Sequence, residues 1–252
     1  MLFPAALLLA GCGTTPVSKP VAADPAILRV GVCPISPPMI FKDGEQITGV
    51  EADLAQALGK ELGRRVVFVE EKWEKLIDAL SENRIDIIMS SMSITPARQY
   101  RIAFSNPYLK VSQLALCRDE DKYAFVLNVA AQAKRGFGLK QGTTSDFLVR
   151  QEFPTVERKY YKTGEQAAEA LVDKDIDVFL SDAPIVWHLA GRYEVKGLVV
   201  IALPMPSYDE LLGWGIRRGD TALRDSANAF IAKAQASGAL NRIYSQWMPG
   251  FR

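Results

Sequence analysis

Seven polar side chains fall where apolar runs give way to turns. Ser90, Ser91, Ser93 and Arg98 follow the nearly all-apolar run 85–89; Thr143 and Thr144 follow 136–140; Asp182 follows 178–181. A short apolar run of this kind has the signature of a strand covered on both faces of an α/β sheet, and ligands of such sheets sit beyond the carboxyl ends of the strands. Thr95 before Pro96 reads as a helix N-cap followed by proline at the first helical position. Arg98 therefore lies in the first helical turn, where a cation opposes the helix dipole and invites a compensating anion. Together, the guanidinium and free N–H groups at two helix starts would hold a carboxylate, while Asp182 and the carbonyls near Ser90 would hold an ammonium. A zwitterion of α-amino-acid size fits both ends. Each residue also has a purely structural alternative: Arg98 as a surface ion pair, and Asp182 as the N-cap of a helix starting at Ala183-Pro184.

The elements that must position these groups come from the apolar pattern. Residues 27–32 read as a strand, 34–38 as a stiff proline loop, 51–62 as a helix stopped by Gly63, and 66–69 as a second strand. Trp73, Leu76, Ile77 and Leu80 make a helical stripe leading into the strand at Ile85, which completes a βαβαβ pattern and a parallel sheet. The unit then returns ninety-one residues later without a gap. Glu74 to Leu80 is echoed by Glu165 to Leu171, and Arg84 to Ser90 by Asp175 to Ser181, which sets Ser181 opposite Ser90 and Asp182 opposite Ser91. A repeat of this size argues for two similar α/β lobes, each with one rim, and a shared cleft as the site. A short strand over 136–140, a tight turn from Gln141 into a helix over 147–151, a strand over 198–203 and two terminal helices after Asp220 and Gly238 complete the reading.

Composition narrows the partners. The 252 residues are 48% hydrophobic, enough for a substantial core, and 30 basic against 29 acidic residues leave no basic block for nucleic acid. One histidine, His188, and three cysteines give no metal cluster; Cys33 and Cys117 read as separate buried thiols. The apolar run 2–10 is too short to span a bilayer and ends in Leu9-Ala10-Gly11-Cys12, which resembles the lipobox of bacterial lipoproteins, although no Lys or Arg precedes it. Residues 1–12 would then be a lipoprotein signal peptide with Cys12 the lipidated residue, and 13–26 a flexible tether. No other run approaches membrane length.

Gly49-Val50-Glu51-Ala52-Asp53-Leu54, Trp73 with Leu76 to Leu80, Ile85 to Ser90 with Ile94 to Arg98, Phe104 to Tyr108, Gln141 to Thr144 and Asp177 to Asp182 resemble the family 3 extracellular solute-binding proteins, across nearly all of residues 27–250. These are the receptors of polar amino-acid ABC importers. The resemblance implies a two-lobed periplasmic-binding-protein fold of type II, two similar α/β lobes joined by a two-strand hinge and closing on the ligand. It puts lobe I at 27–109 plus 213–252, lobe II at 114–204, and the crossings at 110–113 and 205–212. It also implies a monomer in the periplasm or at the cell surface, held to the membrane only by its lipid, partnered by an amino-acid ligand and an ABC permease, with no cofactor and no metal.

By position, the resemblance gives Arg98 the ligand carboxylate together with the backbone of Ser93 and Thr144, gives Asp182 the amino group, and makes Trp73 an aromatic wall; as a residue of the stripe, Trp73 also suits the core. Ser36, Ser90, Ser91, Lys140 and Thr143 complete the expected lining. Two positions depart from the family pattern: Cys33 stands where many members have aspartate, and Ser36 where they have an aromatic. Losing that acid argues against a basic amino acid, since a buried ligand cation would lack a partner. Lys140 matches a lysine of glutamine-type binders and points to an amide or acidic side chain. The cyclohexadienyl dehydratases resemble this chain as well, but their catalytic glutamate falls at Ile185, which cannot transfer a proton. A third reading keeps the fold and makes the protein a sensor read by a membrane partner.

Overall fold

The computed structural model describes residues 24–203 and 209–250; Cys12, the expected signal peptide and most of the tether lie outside the described residues, as do 205–208 of the expected second crossing. In the first half, strands β1 (Ile27–Val32), β2 (Ile35–Ser36), β3 (Ile40–Asp43) and β4 (Gln46–Thr48) lead to helix α1 (Val50–Leu62). Then come β5 (Arg65–Glu70), a 3-10 turn at Trp73–Lys75, α2 (Leu76–Ser81), β6 (Ile87–Ile88), α3 (Pro96–Arg101) and β7 (Ala103–Phe104). The ten-residue strand β8 (Leu109–Arg118) follows, then α4 (Lys122–Gln132), β9 (Phe137–Leu139), α5 (Thr144–Glu152), β10 (Arg158–Tyr160), α6 (Gly164–Val172), β11 (Val178–Asp182), α7 (Ala183–Tyr193) and β12 (Leu198–Ile201). The chain finishes with β13 (Asp209–Leu212), β14 (Gly215–Ile216), α8 (Thr221–Ala236) and α9 (Ala239–Trp247).

The two main sheets have the same construction. One runs β5-β1-β6-β14-β7 and the other β10-β9-β11-β8-β12; in each the first three strands are parallel and the fourth is antiparallel to both its neighbours. In both lobes that fourth strand is the one the chain delivers from the other lobe. β8 spans both lobes: residues 109–112 pair with β13, and the remainder pairs with β11 and β12 inside the second lobe. Helices cover both faces of each sheet, as parallel strands require. α1, α8 and α9 pack Leu54, Leu58, Phe230 and Ile231 against Val30, Ile87 and Trp214, while α2 closes the other face around Leu76, Leu80, Ile85 and Ile88. α5 and the pair α6 and α7 do the same for the second lobe.

The sequence repeat has a physical counterpart beneath each sheet. Asp86 and Asp177, ninety-one residues apart, are both buried just before the third parallel strand. Asp86 is gripped by Arg29 at 2.6 Å, Arg217 at 3.3 Å and Arg64 at 3.4 Å; Asp177 is gripped by Arg118 at 2.7 Å and Arg135 at 3.2 Å. Burial alone would raise the Asp86 pKa, but the hydrogen bonds and charges of Arg29 and Arg217 outweigh it and hold the carboxyl below its ordinary value. Removing the acid strands several half-buried guanidinium groups. Asp86→Ala is therefore expected to cost about 3–5 kcal/mol in urea denaturation at neutral pH; a loss under about 1 kcal/mol would show that the arginines find water instead.

The element boundaries expected from the apolar pattern shift at the strands, and the helix expected over 147–151 starts three residues earlier, at Thr144. The helix expected over 51–62 begins one residue earlier, after Gly49, and ends on Gly63 in the left-handed conformation. The strand expected from Ile85 is paired only at Ile87–Ile88, and the stripe from Trp73 starts as a 3-10 turn. β2, β3 and β4 fold the segment read as a proline loop, with the residues after it up to Thr48, into a small antiparallel sheet. Cys33 and Cys117 are buried free thiols, as expected.

Candidate functional site

All ten expected lining residues, Ser36, Trp73, Ser90, Ser91, Ser93, Arg98, Lys140, Thr143, Thr144 and Asp182, border one cleft between the lobes, joined by Cys33, Ser145, Ser181 and Ile185. Local rules place each of them. Thr95 caps α3 by accepting the Arg98 backbone N–H, with Pro96 at the first helical position, so Arg98 projects from the first turn. Thr143 caps α5 in the same manner, accepting from Asp146. Gly142 turns between Lys140 and that helix with φ of 72°, a conformation that favours glycine, and its N–H is held by the buried Asp146 carboxylate at 3.0 Å.

Arg98 is fixed from three sides. Its Nη1 donates to the Ser93 carbonyl at 2.8 Å, its Nη2 to the Gly142 carbonyl of the other lobe at 3.4 Å, and its guanidinium lies 5.2 Å from the centre of the Trp73 ring. A guanidinium has five N–H donors, so this clamp leaves capacity for an incoming anion. Trp73 reconciles its two sequence readings: it packs partly against the core around α2, and its indole N–H donates across the cleft to the Gly142 carbonyl at 3.2 Å. Burial lowers the Arg98 pKa, partly offset by Glu210 and Asp182.

Asp182 stands at the N-cap position of α7, as its sequence suggests, but its side chain makes no cap hydrogen bond. It accepts instead from Gln113 Nε2 at 2.6 Å. Burial first, and then the neighbouring Glu210 carboxylate, push its pKa up to about 7. Elsewhere in the cleft lining the Lys140 ammonium, which also faces Asp182, donates to Ser36 Oγ at 2.6 Å, and desolvation lowers its pKa. Burial raises the Cys33 thiol beside it, only partly offset by Lys140, so the thiol stays protonated at neutral pH. Ser90 faces inward, accepting the Cys33 backbone N–H at 3.0 Å, and Ser91 adopts φ of 54° with its N–H bound to buried Glu51 at 2.5 Å.

Two polar residues of this site do not stand out in the sequence. Glu210, on β13, accepts hydrogen bonds from Ser93 Oγ at 2.5 Å, Thr144 Oγ1 at 2.8 Å and Gln113 Nε2 at 2.7 Å. Gln113, on β8, meets both Glu210 and Asp182. Both sit in segments read only as crossings, and a charged Asp209-Glu210 pair in a connector has the look of solvated surface. The one available signal is the placement of Gln113 at the end of a crossing that has to pass the cleft.

The arrangement offers a cation and an acid facing one gap, hydroxyl groups from both lobes, and a hinge that runs beneath them. Such a cleft defines a solute receptor. The chain belongs to the bacterial extracellular solute-binding proteins, family 3, whose family model matches residues 28–250. It is similar to the arginine-binding periplasmic protein of Mannheimia haemolytica, 26% identical over 219 residues that span 86% of this chain and 89% of that one. Among solved structures it is similar to a putative ABC-transporter binding component from Wolinella succinogenes complexed with lysine, with a TM-score of 0.82, 26% identity and coverage of 89% and 96%. It is also similar to an ancestral amino acid-binding protein described as a precursor of cyclohexadienyl dehydratase, with a TM-score of 0.77, 30% identity and coverage of 88% and 95%.

Proposed function

We propose that this protein is the receptor of an ABC importer and takes up a polar amino acid with an amide or acidic side chain. The observation that carries the reading is the facing of Arg98 and Asp182 across one cleft, each desolvated and neither ion-paired to the other. Arg98 with the backbone N–H groups of Ser93 and Thr144 takes the α-carboxylate, Asp182 takes the α-ammonium, and the side chain extends toward Cys33, Ser36 and Lys140. Relatives named for arginine and lysine make a basic ligand the obvious comparison. Here, however, a ligand cation at the side-chain end would meet a thiol, a hydroxyl and the Lys140 ammonium, a like charge in a desolvated space. A carbonyl or carboxylate accepts from the same ammonium.

Ile185 supports binding over catalysis, because an aliphatic side chain stands in the cleft at the position where the dehydratase resemblance asks for a glutamate. Export and a lipid anchor at Cys12 complete the reading.

Thermal shift against the twenty amino acids tests it. A tight ligand at a thousandfold excess over its Kd adds about 4 kcal/mol of stability, an easily measured rise in Tm. Glutamine, glutamate, asparagine or aspartate should give the largest shift, and Lys140→Met should erase the preference. A larger shift with arginine or lysine would overturn the side-chain assignment, and a flat panel would overturn the receptor reading itself.

A further inference from the structure

Two carboxylates stand where a single ammonium needs one: Asp182 in the cleft lining, and Glu210 just behind it, bonded to the lining residues Ser93 and Thr144. Gln113 Nε2 donates to Asp182 at 2.6 Å and to Glu210 at 2.7 Å, so both acids sit on one amide nitrogen. The amide cannot be turned over without placing its carbonyl oxygen against two carboxylates, and Ser145 Oγ, at 2.6 Å from Gln113 Oε1, satisfies the opposite side. Among the described residues, neither acid makes an ion pair. Arg98 faces both acids and Lys140 faces Asp182, but the hydrogen bonds these cations donate go to the carbonyls of Ser93 and Gly142 and to Ser36. Glu165 on α6 lies near Lys140 and adds a further negative charge on that side.

We propose that Glu210 is a specificity-determining acid of the binding site, which together with Asp182 forms a carboxylate pair that shares one proton in the free protein and gives it up when a ligand ammonium binds. The inference rests on the receptor reading above and extends it. Asp182 is desolvated beside the partly buried Glu210 carboxylate, and the charges of Lys140 and Arg98 only partly offset that desolvation and repulsion, so one proton is retained between the two acids. An ammonium supplies the missing positive charge, and the displaced proton leaves to the solvent. The raised pKa of Asp182, with burial and Glu210 as its two largest causes, agrees with this arrangement. Because β13 belongs to the hinge, and because Glu210 also bonds Ser93 of one lobe and Thr144 of the other, the pair reports on closure as well as on charge. It also selects for a primary ammonium, whose several N–H donors reach both acids. A quaternary nitrogen has none.

Calorimetry of the full chain tests this with L-glutamine, or with whichever of the twenty amino acids gives the largest thermal shift at about pH 8.5. In buffers of different ionisation enthalpy, binding at about pH 6 should release close to one proton, and at about pH 8.5 almost none. Affinity should fall about tenfold per pH unit below about 7. Glu210→Gln, which keeps the hydrogen-bonding shape, should flatten that dependence and sharply reduce proton release at about pH 6. If Glu210→Gln weakens binding equally at both pH values and leaves proton release intact, the residue is structural and the proposal is overturned. A flat amino-acid panel would instead sink the receptor reading. Carboxyl carbon-13 NMR of the ligand-free protein then decides the pair by itself. A carboxyl titrating near neutrality that drops in Glu210→Gln supports it, and an Asp182 signal in the ordinary carboxylate range overturns it.

Discussion

Arg98→Ala is expected to weaken binding of the amino acid that best stabilises the wild-type protein by at least ~100-fold, a loss of about 3–5 kcal/mol. The size follows from what remains: a ligand carboxylate enclosed between the lobes with neutral hydroxyl and amide groups in place of the guanidinium, while the Lys140 ammonium stays hydrogen-bonded to Ser36. Asp182→Ala should cost a similar amount at pH 8, where its carboxylate is ionised, and less at pH 6, where it is largely protonated already. Arg98→Lys is the informative intermediate, because a lysine keeps the charge but loses the fork that holds the Ser93 and Gly142 carbonyls while presenting N–H groups to the ligand. It should recover part of the affinity. Neither variant should unfold the protein, since Arg98 contributes only two hydrogen bonds to uncharged carbonyls and a ring contact, about 1–2 kcal/mol in all. Calorimetry alongside a thermal melt separates the two effects. Affinity retained in both alanine variants would remove the basis for the assignment.

How much of this is legible in the sequence depends on the range of the interactions involved. Apolar periodicity and caps are local, and they locate the rims: Thr95-Pro96 caps as read, while Thr143 caps a helix that starts three residues before the expected one, and the two caps aim Arg98 and Thr144 into the cleft. The ninety-one-residue repeat carries non-local information, because two copies of one unit must bury the same acid in the same place, as Asp86 and Asp177 do. Glu210 and Gln113 are illegible for the opposite reason. Their meeting depends on β8 pairing with β13 across roughly a hundred residues, in a register that sets Glu210 beside Val111, and neither strand has a repeat copy or a long apolar alternation to announce it. β2 to β4 are hidden by their shortness. Prolines at 34, 37 and 38 suggest a loop, yet Ile35 and Ser36 pair with β3 between them.

Glu51→Ala is expected to lower stability by about 3–5 kcal/mol, or about 10 °C in Tm, without touching any ligand. Sequence presents Glu51 as an ordinary acid in the first turn of a helix; the structure buries it completely beneath the cleft. Its carboxyl accepts from the Tyr108 hydroxyl at 2.6 Å, the Ser91 backbone N–H at 2.5 Å and the Trp214 indole N–H at 3.2 Å, so truncation leaves three buried donors unsatisfied. The second lobe uses the same device, since Asp146 in the first turn of α5 holds the Gly142 N–H, and in each lobe a buried acid ties down the turn that borders the site. Burial pushes Glu51 up to about 7 despite these three donors. Because the folded pKa lies above the unfolded one, the associated stability is fully present below about pH 4.5 and is lost as pH rises through about 7, amounting to about 3 kcal/mol over that window. Asp182 adds a contribution of the same sign. Glu51→Gln removes the titration while keeping most of the hydrogen bonds, so the difference in unfolding free energy between wild type and Glu51→Gln should move in the variant's favour from pH 5 to pH 8. Parallel pH profiles for the two proteins would mean that Glu51 is ionised throughout, with the polar groups around it outweighing its burial.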